Sequence, residues 1–129
     1  MPVSYRIDRE RGLIRTACIG PVTREEVLAH FEDLERESDL PKRLDVLLDL
    51  RRITAIPDGE DIGVVAVAVS RLRKRVTWGA CAVIAGEDAS FGMSRVFEVR
   101  TGELFERVAV FRDMASAAVW LVVPPEEWP

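Results

Sequence analysis

The chain has 129 residues, of which 48% are hydrophobic and 31% charged, and its 18 basic and 22 acidic side chains leave a formal net charge of −4. A chain of this length buries roughly two-thirds of the surface it exposes when unfolded, enough for one domain spanning 1–129, with 123–129 as a C-terminal tail, without metals or disulfides. The apolar content excludes disorder, no apolar run approaches the roughly 20 residues of a membrane span, and a pI near 5.1 argues against nucleic acid as a partner.

Val3-Ser4-Tyr5-Arg6-Ile7-Asp8 alternates apolar with polar residues, Arg9 to Gly12 supplies a turn, and Leu13 to Ile19 resumes as a second strand closed by Gly20-Pro21. Thr23-Arg24-Glu25-Glu26 spells a capping box that opens a helix running to about Ser38, with Val27, Leu28, Phe31 and Leu34 as its apolar stripe and His30 at the stripe's boundary. Leu44 to Leu50 reads as a strand buried on both faces, followed by a loop over Arg51 to Ile56. Asp58 caps a second helix whose stripe is Ile62, Val65, Val69 and Leu72, and Trp78 to Ala85 forms the next buried strand. Gly86 to Ser90 turns into a third helix with Met93, Val96 and Phe97 as its stripe and Gly102 near its end. A short strand over Val108 to Phe111 leads to a last helix over Met114 to Val122, capped by Asp113 and stopped by Pro124-Pro125.

The order β-β-α-β-α-β-α-β-α predicts an α/β domain: a mixed, mainly parallel sheet of about five strands with four helices, whose binding sites belong at the carboxyl ends of the strands.

Candidate chemistry is sparse. One histidine without a suggestively spaced nucleophile gives no catalytic constellation, and one histidine with two cysteines, Cys18 and Cys81, each inside an apolar run, cannot make a zinc tetrad or a redox motif. No phosphate-binding glycine motif occurs, so neither a metal nor a cofactor is expected. Arg71-Leu72-Arg73-Lys74-Arg75 is the densest basic cluster and fits the negative end of a helix dipole. Arg51 and Arg52 follow a strand's carboxyl end, where a guanidinium can meet a ligand anion or simply a neighbour such as Asp49 or Asp58. Glu25 to Asp39 carries seven acids against Arg36 alone, whereas Arg71 to Arg75 carries four bases and no acid, an asymmetry suited to docking a partner.

The element order, the strand ending Asp49-Leu50-Arg51, the segment Phe91-Gly92-Met93-Ser94-Arg95-Val96-Phe97-Glu98, and Val110-Phe111-Arg112-Asp113 followed by Ala117-Ala118-Val119-Trp120-Leu121 resemble the STAS domain of bacterial anti-sigma-factor antagonists, in its SpoIIAA-like branch. The resemblance covers most of the chain and implies a bacterial regulatory module whose fold is similar to that of CRAL-TRIO lipid-transfer domains. In the antagonists a strand-to-helix turn carries an Asp-Ser pair whose serine is phosphorylated to switch off partner binding. Pro57-Asp58 stands at that place here, so the phosphorylatable hydroxyl is missing, and Thr54 and Ser90 are only nearby.

Two functions follow as expectations. The first is a non-enzymatic, cytoplasmic protein-binding module docking a partner through Arg51, Arg52, Thr54 and Asp58. The second is a carrier of a small apolar ligand or lipid, with Ser90, Phe91, Met93 and Arg95 as candidate contacts, Phe97 and Trp120 as further apolar lining, and a space of about 300 Å³ or more. Trp128 and the apolar last helix suggest a homodimer.

Overall fold

The computed structural model describes residues 2–126, the side chain of Ala89 excepted. Strands β1 (Val3–Asp8) and β2 (Leu13–Gly20) form an antiparallel hairpin, and β3 (Arg43–Ile53), β4 (Thr77–Ile84) and β5 (Arg107–Phe111) extend it in parallel to a five-stranded sheet of order β1-β2-β3-β4-β5. The helices are α1 (Arg24–Arg36), α2 (Gly59–Leu72), α3 (Asp88–Thr101) and α4 (Met114–Leu121). The architecture is the one read from the sequence. Gly12 makes the hairpin turn with φ +62°, and it also passes so close to the Arg43 carbonyl that a Cβ would meet it at 2.9 Å.

Successive parallel strands step across the sheet in one direction, so right-handed crossovers lay α1, α2 and α3 on the same face. Their side chains Leu34, Val69, Leu72 and Phe97 pack with Ile14, Leu44, Trp78, Cys81 and Val83. Beyond the last strand, α4 returns under the opposite face, where Met114, Ala117 and Leu121 meet Leu13, Leu47, Ala80, Ala82 and Ile84. Strand alternation thus feeds two apolar layers, as a strand buried on both faces requires. The second layer also holds Arg15, only 4% exposed, whose guanidinium donates to the carbonyls of Pro124 (3.1 Å) and Glu126 (3.2 Å) and so ties the chain's C-terminal stretch to β2. No helix among the described residues is long and apolar enough to cross a membrane.

Several local expectations are corrected. Strand β3 continues through Arg51 and Arg52 to Ile53, because a bulge in β3, where Leu50 and Arg51 oppose Cys18 alone, shifts the register and lets Arg52 and Ile53 pair with Ile19 and Gly20. Helix α1 stops at Arg36 because Arg75, from the basic cluster, donates to the carbonyls of Leu34 (3.2 Å), Glu35 and Glu37 (2.5 Å), satisfying the helix end from outside. On the same helix Leu28 is 39% exposed and His30 turns inward, since the buried face is Val27, His30, Phe31 and Leu34, at i, i+3, i+4 and i+7. Helix α3 is inverted in part: Met93 and Phe97 face inward, but the fully buried positions among its described residues are Ser90, Ser94 and Thr101, and Val96 and Val99 face outward at 39% and 82% exposure. Trp128 lies outside the described residues.

Candidate functional site

The parallel strands end beneath the first turns of α1, α2 and α3. Two of those turns are closed by reciprocal side-chain caps. The Thr23 hydroxyl accepts from the Glu26 amide at 3.2 Å and the Glu26 carboxylate from the Thr23 amide at 2.9 Å; Asp58 and Asp61 repeat the arrangement at 2.9 and 3.0 Å. Arg24 joins the two turns, its Nε 2.9 Å and Nη2 2.8 Å from Asp61 Oδ1. The Asp58 amide, together with Arg24, holds the Asp61 carboxyl below the usual carboxylate range. The third turn differs, because Glu87 occupies the cap position of α3 without any side-chain cap bond.

Between these helices and the sheet lies a cavity of about 230 Å³. Its walls are Val27, Phe31, Val65, Met93 and Phe97 from the helices, with Thr16, Cys18, Leu48, Leu50 and Val83 from the sheet, and Ile53 and Pro57 stand where β3 turns toward α2. The volume survives where β2 presents the small side chains Thr16 and Cys18 and α3 contributes serines where a packed helix would contribute leucines.

A few polar groups face this apolar space. Ser90 and Ser94, 5% and 4% exposed, are one helical turn apart on the inner side of α3. Neither hydroxyl has a hydrogen-bond partner among the described residues, whereas Thr101 on the same helix donates to the Phe97 carbonyl at 2.8 Å. His30 stacks edge-on between Tyr5 (5.2 Å) and Phe31 (5.3 Å), and its Nδ1 is buried without a partner. Burial pushes the imidazole down to about 4, against a weaker opposing pull from Asp33, so it is neutral at pH 7. Burial likewise raises the Cys18 thiol to about 12, with Asp49 adding to the effect, and drives Cys81 higher still; both remain protonated and both are free.

The residues expected to dock a partner divide between surfaces. Arg51 turns to the α4 side of the sheet and chelates the 5% exposed Asp49 carboxylate, with Nε 3.0 Å and Nη2 2.8 Å from its oxygens. Arg52 and Thr54 are at or beyond the end of β3, where Arg52 is exposed and the Thr54 amide donates to the Gly20 carbonyl at 3.1 Å; Asp58 is engaged as the α2 cap. Of the expected ligand contacts, Ser90 and Met93 line the cavity. Phe91 lies outside it beneath the Arg112 guanidinium (4.1 Å), and exposed Arg95 pairs with Glu98 at 3.4 Å. Phe97 is in the wall, whereas Trp120 packs on Phe111 across the sheet. Sequence reading missed His30, Thr16 and Ser94; the spacing of Val27, His30, Phe31 and Leu34 carried the signal for the first. No group of three metal-ligating side chains is gathered among the described residues.

No family model and no curated protein matches the chain. By structure it is similar to an uncharacterized protein of the DUF3478 family with a SpoIIAA-like fold from Shewanella loihica PV-4, over 92% of this chain and 91% of that one, with a TM-score of 0.57 and 14% sequence identity. The fold is SpoIIAA-like. At this identity the SpoIIAA-like neighbour speaks for the fold alone, one α/β domain with a mixed sheet.

Proposed function

We propose that this protein is a non-enzymatic binding module for a small, predominantly apolar molecule. The observation that carries the reading is the apolar cavity of about 230 Å³ beneath α1, α2 and α3. It falls short of the roughly 300 Å³ at which drug-sized sites begin. An apolar cavity of about 150 Å³ holds benzene, so by proportion this one holds about nine non-hydrogen atoms. Acyl chains of myristoyl length and sterols are too large, which narrows the lipid-carrier expectation to compact molecules. The protonated thiols and the neutral His30, which has no hydrogen bond to Ser90, favour binding over chemistry.

The test is an NMR titration with isopropylbenzene. Shifts confined to Val27, Phe31, Val65 and Phe97, saturating with a Kd on the order of 10–1000 µM, are expected for a ligand of this size. Loss of binding in Val65→Phe, which fills the space, completes the assignment; absence of saturable shifts in the wild type refutes it.

A protein-binding role is the second reading, and it finds support on a different surface from the strand-end loop. Leu28, Val67, Val96 and Val99 are exposed on α1, α2 and α3, at 39%, 53%, 39% and 82%. Apolar side chains on the outer sides of neighbouring helices are suited to a protein contact. Replacing Val67 and Val99 together by Ser would abolish capture of a partner without altering the isopropylbenzene titration.

A further inference from the structure

From the inverted face of α3, we infer that the cavity selects a ligand with one neutral hydrogen-bond-accepting oxygen, of the ketone, aldehyde or amide kind, received by the hydroxyls of Ser90 and Ser94. The inference rests on the ligand reading above and adds the polar half of the ligand's chemistry.

Three observations converge. Both serines are more than nine-tenths buried and line the cavity, and their hydroxyls have no partner among the described residues, so the cavity is where each hydroxyl can find one. They stand in the first two turns of a helix of 14 residues whose opening turn has no side-chain cap, so the positive end of its dipole and its free amides favour an acceptor oxygen on that side. The alternative way for a helical serine to settle its hydroxyl, by bonding back one turn to a carbonyl, is taken by Thr101 and by neither serine.

The charge around the site selects against an anion. Arg24 is the cation in the cavity wall, and Asp61 already engages it at 2.8 Å. Glu87 and Asp88 flank the start of α3, and the nearby Arg112 is already paired with Asp88 at 2.8 Å, so a carboxylate entering there meets Glu87 and finds no unpaired cation among the described residues of the cavity wall to compensate its lost hydration. A carbonyl oxygen gains the two hydroxyl donors without that penalty.

Three probes of equal size and shape separate the cases: isopropylbenzene, acetophenone and benzoate, titrated by NMR into the wild type, the Ser90→Ala/Ser94→Ala double variant and Ser94→Thr. The ratio of Kd values, acetophenone over isopropylbenzene, is expected to rise about five- to tenfold in the double variant, the loss of a net hydrogen bond or two, and to stay within about twofold in Ser94→Thr, which keeps a hydroxyl. A ratio unchanged in the double variant overturns the proposal, and so does benzoate binding more tightly than acetophenone to the wild type. Should the double variant fail to fold, the same ratio in Ser94→Ala alone decides, with about a threefold rise expected. If isopropylbenzene and acetophenone both fail to bind the wild type, the cavity reading itself falls and takes this inference with it; if isopropylbenzene binds with an unchanged ratio, only the inference falls.

Discussion

Replacing Ser94 by alanine is expected to make the ligand-free protein more stable, the reverse of the usual result of truncating a buried side chain. Ser94 is 4% exposed in the interior of α3, and its hydroxyl has no partner among the described residues. Alanine is the better helix former by about 0.5 kcal/mol, and deleting an unpaired buried hydroxyl recovers about 1–3 kcal/mol of desolvation if the group is dry. The cavity beside it is roomy enough for water to relieve part of that penalty, so the net gain is about 0.5–2 kcal/mol. For a domain of this size that corresponds to a rise in Tm of about 2–8 °C. Urea denaturation measures it directly, provided the slope m is unchanged, so that a shift in midpoint reports stability and not compactness. Destabilisation by more than about 0.5 kcal/mol would mean that the hydroxyl holds the helix in place, and the reasoning that assigns it to a ligand would be refuted.

Three further outcomes follow from the same structure. His30 is neutral when folded, with its pKa lowered from 6.5 to about 4, so stability is fully present above pH 6.5 and is lost as pH falls through that window, by about 2 kcal/mol at pH 5; urea midpoints at pH 8 and pH 5 should converge in His30→Phe by that amount relative to wild type. Arg75→Met leaves the α1 carbonyls without their donors and should cost about 1–2 kcal/mol in the same assay, whereas Arg71→Met should change stability by less than about 0.5 kcal/mol. Gly79→Ala would put a Cβ 2.2 Å from Asp45 Oδ1, which accepts from the Ala80 amide at 2.8 Å, and the forced separation should cost about 2–4 kcal/mol, read as a lowered Tm.

The elements that were legible in the sequence are those where one residue type has one physical use. Thr23, Asp58 and Asp113 announce helix starts because their short side chains reach an amide of the first turn, and each does so. The near-continuous apolar strands announce burial on both faces. What was not legible depends on partners distant in sequence. Arg51 and Arg52 look like loop residues until a bulge in β3 brings the strand back into register with the end of β2, and Arg75 looks like a helix-end charge until α1 places its last carbonyls alongside. His30 was set at a boundary because hydrophobicity favoured Leu28; the helical spacing favoured His30, and the packing followed the spacing. The cavity was least accessible to sequence reading, since a void is a property of how several side chains fail to meet.

Helix α3 is where local preference and burial disagree. Turning Val96 and Val99 outward and Ser90 and Ser94 inward forgoes apolar burial worth about 25 cal/mol per Å² and adds the cost of two unpaired hydroxyls. Elsewhere the chain follows the rules it breaks here: α2 buries Ile62, Val69 and Leu72, and α4 buries Met114 and Leu121. A domain whose net stability is only about 5–15 kcal/mol cannot be indifferent to such an inversion. Exposed apolar residues occur on the other helices as well, Val67 on α2 and Val119 on α4 among them, but the buried serines without a partner among the described residues are on the side of α3 that faces the cavity. Local conflicts of this kind concentrate at functional sites, where a ligand or partner supplies the missing interaction. On the proposed reading, the interaction inside is a hydrogen bond donated by a serine hydroxyl to a small molecule, and the one outside is an apolar surface that covers the valines. The two deficits lie on opposite sides of the same 14-residue helix, so one element carries both departures.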